Sequence, residues 1–168
     1  AIGMAADAIA VQTLGSVDIE VLWLFSRDPA LASLQELVGK RVAAGPEGSG
    51  HRSLLLRLLK QQQVPLHQLT LSALSGTAAR DALLRQEIDA VFMVAAPSAP
   101  GAAALLAAPG VTLVSLRRAS ALSERNKYLE SRLLPQDALG PGQPARDTPV
   151  LTTPTHLLVR QDLYSALT

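Results

Sequence analysis

Residues 88–96, IDAVFMVAA, constrain the fold more than any other stretch, because Asp89 is the one polar residue among nine. A strand with one buried face alternates apolar and polar side chains, whereas a strand covered on both faces does not. The run therefore predicts a strand inside a sheet with cover above and below. Further strand-like runs are Val17–Phe25 (VDIEVLWLF), Arg41–Ala44, Leu69–Leu71 and Val111–Leu116. Helical segments separate them. A short turn carries Leu31, Leu34 and Leu37, a leucine-rich helix runs from Gly50 to Gln63, another starts at Ser75-Gly76-Thr77, and an alanine-leucine helix ends at Ala108. Strand and helix thus alternate four times between residues 17 and 116. The expected fold is α/β, a three-layer, mostly parallel sheet with right-handed crossovers and helices on both faces. Ligands of such sheets sit beyond the carboxyl ends of the strands.

Within the leucine-rich helix, Leu55, Leu56 and Leu59 are expected to form the inner stripe, with Leu54 and Leu58 flanking. Arg52, Arg57, Lys60 and Gln61–Gln63 are expected to face water. On the next helix Ala78, Ala79, Ala82 and Leu83 read as the inner side, and Met93 reads as core. Residues 117–127 look helical, and the prolines and glycines of 135–149 mark a loop. Thr155–Arg160 reads as a last strand and Asp162–Leu167 as a short terminal helix.

Composition narrows the function. Fifteen basic residues nearly balance fourteen acidic ones, which argues against a nucleic-acid partner. Arg117, Arg118, Arg125 and Lys127 read as a solvated face. The absence of cysteine excludes disulfides and thiolate catalysis. No apolar run approaches the ~20 residues that span a bilayer, and no signal-peptide pattern is present. The abrupt start at Ala1-Ile2-Gly3-Met4 reads as a piece of a longer or processed chain.

The junction RVAAGPEGSGHR, residues 41–52, joins a strand to a helix through three glycines. A helix start carries unpaired N–H groups and about half a positive charge. Glycines turn the backbone sharply and let an anion come close. Ser49 can cap the helix or donate to a bound oxygen, so the junction suits a carboxylate or phosphate, or else only makes a turn. It is not a Walker loop, because His51-Arg52 stand where Lys and Ser or Thr belong. It is not a dinucleotide fingerprint, because Ser53 replaces the last glycine, and not a nucleophile elbow, because Glu47 and His51 flank Ser49. His51, His67 and His156 lack metal-ligand spacing, so no metal or other cofactor is expected. Asp89, at a helix-to-strand turn, is expected to bond local backbone N–H groups rather than to catalyse, and no acid–base couple stands out.

LGSVDIEVLWLFSR, LVGKRVAAGPEGSGHRSLLLRLL, LSGTAARDALLRQEIDAVFMVAAPSAP, PGVTLVSL and TPTHLLVRQDLYSAL occur in that order. Together they resemble the TAXI family of solute receptors for TRAP transporters, which are type II periplasmic binding proteins. The resemblance implies a non-enzymatic, two-lobed receptor whose lobes are joined by two crossing strands, here at about 20–25 and 156–160. Residues 17–168 would be one ligand-binding lobe and 1–16 a remnant of the other. It also implies that a small organic anion, an amino acid or carboxylate, is held by Gly48, Ser49, Gly50 and His51. Gly76, Thr77, Val94, Ala95 and Ala96 would line the cleft beside them. Gln86 stands where relatives commonly have glycine, which affects a turn. The implied partners are the permease subunits of a TRAP transporter. The implied location is periplasmic or extracytoplasmic, with a membrane anchor in the full-length protein. An isolated lobe would bind weakly and could pair through its exposed hinge strands. The alternatives are a cytoplasmic effector-sensing domain of LysR type, which a helix-turn-helix upstream would identify, and an enzyme of the same fold, which would need a general base beside Ser49.

Overall fold

The computed structural model describes residues 11–160, which form one seven-stranded sheet with helices on both faces. In chain order the elements are β1 (Val11–Ser26), β2 (Arg41–Ala43), α1 (Gly50–Gln61), β3 (Thr70–Ser72), α2 (Gly76–Leu84), β4 (Ala90–Ala95), α3 (Pro100–Leu106), β5 (Thr112–Leu113), α4 (Ala119–Arg125), β6 (Glu130–Leu134) and β7 (Thr148–Arg160). The strands lie in the order β3-β2-β4-β1-β7-β6, and β5 pairs with the end of β1. The α/β class with helices on both faces is found. Its parallel part is β3-β2-β4, whose strands are joined through α1 and α2. β1 runs antiparallel to β4, β5 and β7, and β6 antiparallel to β7.

β1 divides the core by its period of two. Leu22 and Leu24 face one layer with Leu55, Leu58 and Leu59 of α1 and Leu122 of α4. Val21, Trp23 and Phe25 face the other, with Ala79, Ala82 and Leu83 of α2 and Ala102 and Leu105 of α3. Trp23 and Phe25 stack at 5.8 Å between ring centroids. β4 splits likewise, with Phe92 and Val94 on the α1 side and Val91 and Met93 on the α2 side. A strand with both faces covered is what its unbroken apolar run demands.

Several expectations change. The inner stripe of α1 is Leu55, Leu58 and Leu59, while Leu54 and Leu56 are half-buried. Five leucines within six positions present two equally apolar faces, and packing against β1 and β4 selects between them. Ala78 is exposed. β6 escapes a reading by pattern because Glu130-Ser131-Arg132-Leu133 is exposed throughout; its charges suit an edge strand. The 135–149 region is a loop only up to Asp147, since β7 begins at Thr148. Gln86 sits at φ 60°, a left-handed turn that glycine adopts without strain. The expected helix at 162–167 lies outside the described residues.

The far end of α1 is fastened by a polar knot. Asn126 is 2% exposed and exchanges two hydrogen bonds with Gln61, Nδ2 donating to Oε1 at 2.9 Å and Oδ1 accepting from Nε2 at 2.8 Å. Its Nδ2 also donates to the Leu122 carbonyl at 2.7 Å, closing the end of α4, and Tyr128 OH donates to its Oδ1 at 2.8 Å. Arg57 lies over the Tyr128 ring, 5.4 Å from its centroid.

Candidate functional site

The loop before α1 has a physical reason for two of its glycines. Gly45 and Gly48 adopt φ of 81° and 78°, where a Cβ is strained, and a Cβ on Gly45 would also lie 3.2 Å from Ser49 Oγ. They turn the chain so that Ser49, at φ −69° and ψ 150°, caps the helix. Its Oγ accepts from the Arg52 amide at 3.3 Å and its carbonyl from Ser53 at 3.0 Å. Arg52 does not extend into water as expected. Its guanidinium folds back over the loop, where Nη1 donates to the Gly45 carbonyl at 3.3 Å and Nη2 lies 3.7 Å from Glu47, leaving the side chain 15% exposed. Among the described residues none accepts from the amides of Gly50 or His51. The first turn of α1 therefore keeps two open donors at the positive end of a helix of twelve residues.

His51 ties this turn to the sheet. β2 pairs with β4 only as far as Ala43 opposite Val91. Beyond that point the Val94 N–H donates to His51 Nδ1 at 3.0 Å. In the neutral ring this bond places the proton on Nε2, so the imidazole keeps one free donor. The Val94 side chain is buried in the α1-side core, and its part is this amide. Ala95 and Ala96 are half-buried at the strand end, where the Ala95 carbonyl accepts from Trp23 Nε1 at 3.1 Å.

α2 begins in a similar way. Ser75 takes the extended N-cap conformation, but its hydroxyl makes no capping bond, and Gly76 turns at φ 54°. Thr77 is exposed beside them. The two helix starts meet at a cavity of about 90 Å³ past the carboxyl ends of β2 and β3, alongside Val91–Met93 of β4. Gly45 and His51 border it from one side, Ser75 and Gly76 from the other, and Met93 and Leu105 lie within. The structure thus brings His51 and Gly76 to one hollow. Gly48, Ser49 and Gly50 form the turn behind His51, and Thr77, Val94, Ala95 and Ala96 lie outside the lining. Gly45, Ser75 and Met93 are lining residues that sequence reasoning missed. Met93 carries no mark that separates a cavity wall from core.

Larger hollows lie elsewhere. One of about 440 Å³ opens at the opposite end of β2 and β4, beside Lys40, Arg41 and Asp89. Arg41 and Asp89 pair there, since Asp89 Oδ2 accepts from the Arg41 amide at 2.7 Å and Oδ1 from Arg41 Nη2 at 3.0 Å, and Lys40 lies 3.6 Å from Asp28. Hydrogen bonding by the Arg41 guanidinium holds the Asp89 carboxyl below its ordinary range. Asp89 bonds a backbone N–H, as expected, but one on β2 rather than in its own turn. Among the described residues no cluster of His, Asp or Glu could hold a metal, and no helix is long and apolar enough to cross a membrane.

Comparison with known proteins agrees with this architecture. The model of the NMT1-like family matches residues 7–167. No curated protein matches the chain. Among solved structures, a periplasmic binding protein of an ABC transporter from Brucella ovis, with glutathione bound, superposes with a TM-score of 0.54 at 12% identity over 93% of this chain and 39% of its own. The periplasmic aliphatic sulphonate binding protein SsuA of Escherichia coli gives 0.53 at 17% identity over 90% of this chain and 40% of its own. A truncated, arginine-bound ArgBP from T. maritima gives 0.52 at 16% identity over 94% and 55%. The chain therefore spans between about two fifths and just over half of these structures. At such identities the likeness is one of fold.

Proposed function

The chain belongs to the NMT1-like family, and on that premise we propose that it is a ligand-holding lobe of a solute-binding receptor for small organic anions. The observation that carries this reading is the meeting of two helix starts, at His51 and at Ser75-Gly76, on one cavity past the ends of β2 and β3. The open amides of Gly50 and His51 would hold the anionic group, with His51 Nε2–H and the Ser75 hydroxyl as further donors at the rim. The solutes named for the three solved neighbours all bear a carboxylate or a sulfonate, which supports the anionic head group. The motif resemblance supports a TAXI-type receptor that delivers its solute to a TRAP permease outside the cytoplasmic membrane. β1 and β7, which pair from Val11 opposite Arg160 to Leu22 opposite Leu151, would be the strands that cross to a second lobe. Closure of that lobe would exclude water and supply the remaining contacts. No bond is made or broken, so the receptor is not an enzyme.

Gly50→Pro tests the anion site. Position 50 is the first of the helix, the preceding Ser49 is extended, and a Cβ there meets nothing within 4 Å. Proline is therefore tolerated while one N–H is deleted. Deletion of one charge-assisted hydrogen bond should weaken binding of carboxylates about tenfold or more, followed by calorimetry or by amide shifts, with the thermal midpoint unchanged. Unchanged affinity would remove α1 from the site.

A further inference from the structure

The walls of the cavity say what kind of anion the site takes. Apart from His51 and Ser75 at its border, the lining residues are glycines and apolar residues: Leu74 before α2, Val91, Phe92 and Met93 of β4, and Leu105 of α3. No charged side chain lines it. A charged or strongly polar solute tail would lose its hydration there with nothing in return. The room is also limited. A cavity of roughly 150 Å³ takes benzene, which has six carbons; by the same measure about 90 Å³ holds a tail of roughly three or four carbons. Met93 can adjust its shape, because an unbranched thioether fills irregular gaps. Its methyl has space beside Gly101, where an added Cβ would stand 3.3 Å from Met93 Cε. His51 belongs to both halves of the site, since its amide is one of the open donors and the residue borders the cavity.

We infer that the solute is a monocarboxylate with a short uncharged aliphatic tail of three to four carbons, head at the start of α1 and tail against Met93. This rests on the anion-site reading above and narrows it. A second acid group or a cationic tail is disfavoured by the same walls.

The test is an NMR titration of the chain with acetate, butyrate, valerate, isovalerate, succinate and glutamate, following the amides of Gly50 and His51 together with the Met93 methyl. The expected result is that both amides shift with every acid that binds. Affinity should rise about fourfold for each methylene up to valerate, and the Met93 methyl should move only with the tailed acids. Leu74→Trp should fill the cavity and weaken isovalerate about tenfold while leaving acetate within about twofold. Met93→Ala, which enlarges the cavity, should shift the optimum to a longer tail. Amide shifts without any gain from acetate to valerate, or with succinate or glutamate binding most tightly, would overturn the inference and leave the anion site standing. Silent amides with every acid would overturn both.

Discussion

Replacing Asn126 by leucine tests how α1 is held in place. The two side chains have the same number of heavy atoms and the same branching, so the change removes polar partners while keeping the shape. Four hydrogen bonds disappear, two to Gln61 and one each to Leu122 and Tyr128. Their former partners fare differently. Gln61 is exposed and regains water, Tyr128 is half-buried, and Leu122 is 3% exposed, so its carbonyl at the end of α4 loses its partner away from solvent. An orphaned buried group costs about 1–3 kcal/mol, so the whole substitution should cost roughly 2–4 kcal/mol. For a domain of this size each kcal/mol moves the thermal midpoint by about 2–4 °C, giving a fall of roughly 5–15 °C. Urea unfolding with the slope held constant gives the free energy directly. A double-mutant cycle with Gln61→Ala should show coupling of about 1 kcal/mol, because the two amides bond each other twice. A loss below about 0.5 kcal/mol for Asn126→Leu, or strict additivity in the cycle, would refute the view that this pair ties α1 to α4.

Two further outcomes follow from the loop and from the paired charges. Ser49→Ala removes the cap of α1 and should cost about 1 kcal/mol in urea unfolding, whereas Ser49→Gly should cost only a few tenths; a Ser49→Ala protein as stable as wild type would show that the Oγ bond to Arg52 contributes nothing. The folded Asp89 carboxyl titrates below its unfolded value, so its contribution to stability is present above the unfolded value of about 4 and is lost as pH falls through the folded one. The stability gap between wild type and Asp89→Asn should accordingly be open at pH ~7 and close in acid, and a gap that stays constant across that range would contradict the pairing with Arg41.

The strands that carry both faces of the core are legible because burial leaves no position free for a polar residue. Val21–Phe25 and Ala90–Ala95 are read from the chain for that reason. The edge is not legible: Glu130–Leu134 becomes a strand only through its pairing with β7, and its side chains record solvent rather than partner. The glycine-rich turn announces a helix start, since glycine and serine act locally there. The bond from the Val94 amide to His51 spans 43 residues of sequence and leaves no local mark. The same holds for Asn126, whose neighbours Arg125 and Lys127 suggest a wet surface although its amide is sealed inside. Met93 shows the converse limit, because an apolar side chain looks alike from the sequence whether it fills a core or borders a hollow.

The position of β1 in the sheet has a consequence for how the chain must be made. Leu22 is opposite Val94 on one edge and Leu151 on the other, and Phe25 is opposite Leu113. During synthesis β1, with its apolar run Val21–Phe25, therefore leaves the ribosome before any of these partners, with neither edge satisfied. One flank waits for β4 and the other until nearly all of the described chain has emerged. Pairing over such separations is slow, and an unpaired apolar strand is prone to aggregate. The nascent chain should depend on a holding chaperone until β7 has been translated.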